Sequence, residues 1–179
     1  MNAASNSVTI ADRFSVVAFE FCSIVESASS IDRIELLLRL YRVLPMLIGE
    51  AIELPRVESA DDDEPPGTDE ESVARSRAGM RDEGWQRLYN LLKEKLAGWD
   101  LYWQVFDPTK DDKAIHGSLA DDVADIYRDL KEGLVLKEAG LARIEGIVWT
   151  WRLLFYSHWG AHATHALRTI HFRLQDTLE

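Results

Sequence analysis

Ser118-Leu119-Ala120-Asp121-Asp122-Val123-Ala124-Asp125-Ile126-Tyr127-Arg128-Asp129-Leu130 is the stretch that decides the fold. Leu119, Val123, Ile126, Tyr127 and Leu130 recur at three- and four-residue spacing, the period of an α-helix with one apolar face. Ser118 reads as the N-cap, with Asp121 in the place of the capping-box Glu. Asp121 and Asp122 fall in the first turn, where carboxylates favour the positive end of the helix dipole. The helix is expected to run to about Gly133.

The same period recurs on either side. Upstream, Trp85, Leu88, Leu92 and Leu96 mark a helix from Asp82 to Leu96. Between it and Ser118 lies an aromatic patch, Trp99 to Pro108. A lone strand would lack a partner, so a turn or short helix whose rings plug the core is expected. Further back, Ile34, Leu37, Leu38, Tyr41, Leu44, Ile48 and Ile52 form a second stripe, opened by Asp32 as N-cap. Pro45 within it is expected to kink that helix or end it near Leu44. Phe14, Val17, Ala18, Phe21 and Val25 define a first helix from Val8 to Ala28.

Downstream, Ala139 to Leu178 is helical in pattern throughout. Ile144, Ile147, Val148, Trp151, Leu154 and Phe155 share one face, whereas Ala163, Leu167, Ile170 and Leu174 share another. The two faces differ by roughly 120° on an ideal helix. Either Gly160 re-aims the chain or the helix is buried on two sides.

The chain has 179 residues, which fits one domain, 1–179. It needs no disulfide or metal to fold at this size, so a bound metal would be functional. Eight of its 31 acidic residues lie between Glu58 and Glu71, without a Lys or Arg, so most of the net charge of −11 belongs to one segment. Like charges and two prolines make 55–71 an exposed acidic loop. No basic stripe is present, which argues against nucleic acid or an anionic membrane as partner. Cys22, the single cysteine, falls on an apolar stripe and reads as a small buried hydrophobe. Met1 to Thr9 lacks a basic region followed by an apolar run, so no signal peptide is expected. The most apolar stretch, Ile147 to Phe155, is too short to span a bilayer and contains Arg152. The expected compartment is the cytoplasm.

Two stretches carry a family resemblance. They are Ser118 to Leu130, quoted above, and Tyr156-Ser157-His158-Trp159-Gly160-Ala161-His162, continuing into Ala166-Leu167-Arg168-Thr169-Ile170-His171. Together they resemble the bacterial domain-of-unknown-function family 5063. The Leu-rich run Leu36 to Leu47 is consistent with it. The resemblance implies an all-α fold and supplies no catalytic residues.

Three constellations could carry chemistry. His158, His162 and His165 lie within an arc of about 60° on a continuous helix. His-x-x-x-His can place two imidazoles on one metal such as zinc, and Asp121, Asp122 or Asp125 could complete the set. This is distantly similar to the three-histidine sites of DinB-like bundles. It lacks the Glu-x-x-His of di-iron bundles. As a second constellation, Asp121, Asp122 and Asp125 are loosely similar to the magnesium-holding helix of all-α nucleotide pyrophosphohydrolases. The second acidic pair such enzymes need is not found. The third is Arg152 with His158, a spacing seen in helical RNA-cleaving domains. The six tryptophans read as core.

The sequence therefore predicts an all-α, up-and-down bundle of five to seven helices with one exposed acidic loop. No catalytic set is complete, which favours a non-enzymatic adaptor or regulatory module with an unknown protein partner. The alternative is a metal-binding bundle or metal-dependent hydrolase built on His158, His162 and His165 with Asp121, Asp122 and Asp125. No cofactor is expected beyond a divalent metal in that second case.

Overall fold

A computed structural model describes residues 3–57, 82–105, 107–110 and 112–178. Most of the expected acidic loop, 58–71, lies outside the described residues. The element order is α1 (Ala3–Glu26), α2 (Arg33–Ile52), α3 (Asp82–Lys95), β1 (Leu101–Gln104), β2 (Ile115–Ser118), α4 (Leu119–Ala139), α5 (Ile144–Leu154), a π-helical turn (Phe155–Trp159) and α6 (Gly160–Leu178). The fold is all-α, as the apolar periodicity requires, apart from one small hairpin.

Four helices close a ring. α1 packs on α2, α2 on α6, α6 on α4, and α4 on α1, while α3 and α5 pack on α4 from outside. The core follows from the stripes. Phe14 and Phe21 of α1 meet Leu36, Leu37, Leu40, Leu44 and Leu47 of α2, all fully buried. Trp151 and Trp159 are also fully buried, and Phe14 lies 4.9 Å from the Trp151 ring and 6.2 Å from that of Trp159. Cys22 is buried, and burial pushes its thiol pKa up, as a small inert hydrophobe requires.

Several expectations are corrected. The buried face of α2 centres on Leu36, Leu37, Leu40, Leu44 and Leu47; Ile34, Leu38, Tyr41 and Ile48 only flank it, and Ile52 is exposed. The segment is apolar on so much of its circumference that spacing alone did not single out the buried stripe. α2 also runs through Pro45 instead of ending at Leu44. Pro45 is on the solvent side, where water can satisfy the carbonyl that its missing N–H leaves free. α4 continues past Gly133 to Ala139 and ends at Gly140, which takes the left-handed conformation with φ of 64°. Gly133 is interior because the Trp151 indole lies against its Cα, in the space a Cβ would fill.

The aromatic patch begins in a turn at Trp99, as expected, but continues as a strand. Leu101–Gln104 pairs antiparallel with Ile115–Ser118, with Leu101 opposite Ser118 and Tyr102 opposite Gly117. Of the patch's rings, Trp99 packs against the core as expected and Tyr102 is half-buried, whereas Trp103 is 65% exposed. The partner strand was hidden because Ile-His-Gly-Ser has neither alternation nor β-branched density.

The two-face conflict near Gly160 is resolved by the π turn. One extra residue in the turn shifts the downstream register by about 100°. Trp151 and Trp159 can then both face the core, followed by Ala163, Ala166 and Ile170. The Gly160 N–H donates to the Phe155 carbonyl five residues back. A Cβ at Gly160 would strike that same oxygen, so the turn requires glycine there. Among the described residues no helix is long and apolar enough to cross a membrane.

Candidate metal centre

The site lies where α4 faces the π turn and α6. Asp122, Asp125 and Asp129 are spaced i, i+3, i+7 and all three are buried. That is a polar stripe pointing inward, and it meets a second polar stripe containing His158 and His162. Burying carboxylates is costly unless each is paired and hydrogen-bonded, and here each is.

The start of α4 is fixed by Asp100 as well as by its own cap. Ser118 Oγ accepts from the Asp121 N–H at 3.2 Å and donates to Asp100 Oδ1 at 2.8 Å. The Ala120 N–H donates to the same oxygen at 2.8 Å, and the Leu119 N–H donates to the Asp100 carbonyl at 2.9 Å. The cap expected at Ser118 is present. Its second half is supplied by a buried residue eighteen positions upstream.

Each histidine is aimed by one carboxylate. His162 Nδ1 bonds Asp122 Oδ1 at 2.8 Å, and His158 Nδ1 bonds Asp129 Oδ2 at 2.6 Å. Both Nε2 atoms then converge on Asp125 Oδ2, at 3.6 Å from His162 and 3.8 Å from His158. Asp125, His158 and His162 each offer one ligand atom, all within 4.8 Å of one another. A cation about 2.0–2.2 Å from each of three such atoms in tetrahedral geometry needs them about 3.3–3.6 Å apart. The two distances to Asp125 Oδ2, 3.6 and 3.8 Å, lie at or just above that range.

The outer partners are also in place. Trp85 of α3 donates Nε1–H to Asp125 Oδ1 at 2.8 Å. Arg128 Nη2 lies 2.9 Å from the same oxygen, and its Nε is 3.7 Å from Asp129 Oδ1. Tyr102 of β1 donates its hydroxyl to Asp122 Oδ2 at 2.6 Å. Burial and the Asp122 charge push the Tyr102 pKa up, so the phenol stays protonated as a donor.

The ionisations reflect this crowding. Burial alone would lower the His162 pKa, but the bond to Asp122 and the charges of Asp125 and Asp121 outweigh it and the net shift is upward. Burial raises Asp129 despite the opposing pull of His158. Burial and the Asp125 charge raise Asp121. Burial lowers the pKa of His165.

Of the six residues singled out from sequence, Asp125, His158 and His162 converge, and Asp122 orients His162. Asp121 and His165 lie beside the site and outside the converging set. Arg152 does not join His158; it donates to the Leu54 carbonyl at 2.8 Å and sits over Tyr156. Asp129, Arg128, Trp85 and Tyr102 were missed. Asp129 was legible, because 122, 125, 129 repeats at helical spacing opposite an apolar-positioned histidine stripe. Trp85 and Tyr102 reach the site from other elements, and no local pattern marks them.

No curated protein matches the chain. Among solved structures, it is similar to protein BF1032 from Bacteroides fragilis, with a TM-score of 0.69 and 25% identity over 89% of this chain and 88% of that one. Residues 6–176 match the model of the domain of unknown function DUF5063. With the helical architecture shared by that solved structure and the match spanning nearly the whole chain, the protein belongs to the DUF5063 family.

Proposed function

We propose that this protein is a metal-binding helical bundle that holds one divalent cation on Asp125, His158 and His162. The observation that carries this reading is the aim of the imidazoles. Each Nδ1 is paired with a buried carboxylate, which leaves both Nε2 atoms facing one carboxylate oxygen, at 3.8 and 3.6 Å. Carboxylate–histidine–metal chains are the usual way to fix tautomer and ring orientation in metal sites. Electrostatics support it too. Asp121, Asp122, Asp125 and Asp129 crowd two histidines, and among the described residues Arg128 is the Lys or Arg paired with them. A divalent ion would offset that excess. Two imidazoles and one carboxylate suit zinc, cobalt(II) or iron(II).

The test is a zinc titration of chelator-treated protein followed by calorimetry and thermal melting. One equivalent should bind. At a free concentration about a hundredfold above Kd the fold should gain about 2.7 kcal/mol. Asp125→Asn, and separately His162→Ala, should abolish binding while the helical circular dichroism persists. Wild-type protein that takes up no zinc, cobalt(II) or iron(II) would overturn the proposal.

A second reading, a protein-interaction module, is supported by the hairpin. Leu101, Trp103 and Ile115 are all exposed there. Leu101 and Trp103 share one face of the hairpin, with Ile115 on the other, and exposed large apolar side chains of this kind are typical of contact surfaces. Replacing Leu101 and Trp103 by Ser should leave the melt unchanged and abolish co-purification of a partner from the source cell. Retention of that partner would rule the hairpin out.

A further inference from the structure

We infer that the metal centre is open on its His158 side and takes a small oxyanion there, one oxygen on the metal and a second on the Arg128 guanidinium. This inference rests on the metal-binding reading above. Three protein ligands are fewer than any of the suitable cations accepts, and among the described residues no fourth side chain joins the converging set. Asp122 and Asp129 cannot move in as ligands without releasing the imidazoles they orient. Asp125 Oδ1 is occupied by Trp85 and Arg128. The remaining coordination positions therefore belong to water or to an exogenous ligand.

Which side is open follows from burial. The His162 side is closed, since Asp122 is nearly inaccessible and Tyr102 covers its second oxygen. The His158 side chain is 34% exposed against 20% for His162. Arg128 stands on that same side, because its Nε neighbours Asp129, the carboxylate that holds His158. Its own side chain is 37% exposed. Nη2 and Nε face the carboxylates, which leaves Nη1 as the nitrogen for a further acceptor. One remaining guanidinium nitrogen next to Asp125, a ligand of the metal, suits a ligand that carries two oxygens on one atom, one for the metal and one for Arg128: a carboxylate or a phosphoryl group. No covalent bond of the anion is made or broken; a metal–water bond would be exchanged for a metal–oxyanion bond, with the water released.

The test uses the full-length cobalt(II) protein, whose visible absorption reports the coordination sphere. Acetate and methylphosphonate are titrated separately. We expect a saturable spectral change with at least one of them, and the better ligand identifies the carboxylate or phosphoryl class. In Arg128→Gln the anion affinity should fall about tenfold or more, as for loss of a charge-assisted bond. Cobalt(II) affinity should hold or rise, because a repelling cation has gone. Arg128→Lys should recover part of the anion binding. A cobalt(II) spectrum unmoved by either anion would show a closed centre and overturn the inference with the metal reading intact. Equal anion affinity in Arg128→Gln would overturn the role of Arg128. A parallel loss of metal and anion affinity would show that Arg128 only supports the carboxylates. Failure to bind cobalt(II) at all would overturn the metal reading and this inference with it.

Discussion

Asp122→Asn isolates the contribution of charge from that of shape. In the native protein Asp122 accepts from His162 at 2.8 Å and from Tyr102 at 2.6 Å. Asparagine fills the same volume. Its carbonyl can accept from His162, and its amide can donate to the Tyr102 oxygen. The displaced phenol hydrogen then has Gln104 Oε1 within 3.5 Å. The number of hydrogen bonds is thus preserved and only charge assistance is lost. Two charge-assisted bonds weaken, but one buried charge no longer has to be desolvated, so the metal-free fold should lose only about 1 kcal/mol. For a chain of this size that lowers the melting temperature by about 2–4 °C. Metal affinity should fall about 10–100-fold, the usual effect of removing a carboxylate behind a ligating histidine. The pKa of His162 should also drop, since the bond to Asp122 is the largest effect opposing its burial. Asp122→Ala, by contrast, leaves two buried donors unpaired and should cost about 3 kcal/mol or more in stability. Zinc calorimetry, thermal melts and histidine NMR titration of the three proteins give the comparison. An Asn variant that binds zinc as tightly as the native protein, or that is as unstable as the Ala variant, would refute the reasoning.

Trp151→Ala should cost about 3–5 kcal/mol by urea unfolding, at the lower end of that range because its indole N–H is buried without a partner and its removal recovers some energy; a cost below about 1 kcal/mol would contradict the packing against Phe14 and Gly133. His165→Ala should change zinc affinity less than about threefold, since losses of about tenfold begin with groups that hold a ligand in place, and His165 is outside the converging set; loss of stoichiometric zinc would put it back among the ligands. Glu26 gives a pH dependence. Burial opposes its ionisation, yet bonds from Lys131 and Tyr127 outweigh that and lower its pKa below 4.5. A lowered folded-state pKa adds stability that is present above pH 4.5 and is lost as the pH falls through the folded value. Glu26→Gln should therefore flatten the acid limb of the stability profile, and an unchanged limb would show that the pair is fully screened.

The helices were legible because each apolar stripe has one period and one side to bury. α3 and the cap at Ser118 lie where spacing and cap chemistry place them. The hairpin was not legible, since β1 gains its meaning only from a polar partner ten residues further on. Half of the candidate site could be read. His158 and His162 sit on one turn-and-helix segment, and Asp122 and Asp125 on one helix, so spacing brings each pair together. Asp129 was passed over because a charged residue late in an amphipathic helix is ordinarily solvent-facing, and only the facing histidine gives it a reason to be inside. Tyr102 and Trp85 depend on how separate elements pack, which no local pattern encodes.

The π turn can also be viewed as a matter of chain length. His158 lies within it and His162 in the first turn after it, while Asp122, Asp125 and Asp129 stay on a regular helix. Deleting one residue between Phe155 and Trp159 would restore an ordinary helical frame and turn everything after it by about 100°. Trp159, Ala163 and Ile170 would swing out of the bundle, and His162 would leave the carboxylates in the same motion. A one-residue deletion at this point would therefore damage the core and the cation site together, whereas one at a solvent-facing loop would spare both. Relatives that keep the two histidines opposite the three aspartates should keep the extra residue as well, which makes the length of this segment a readable marker of the site.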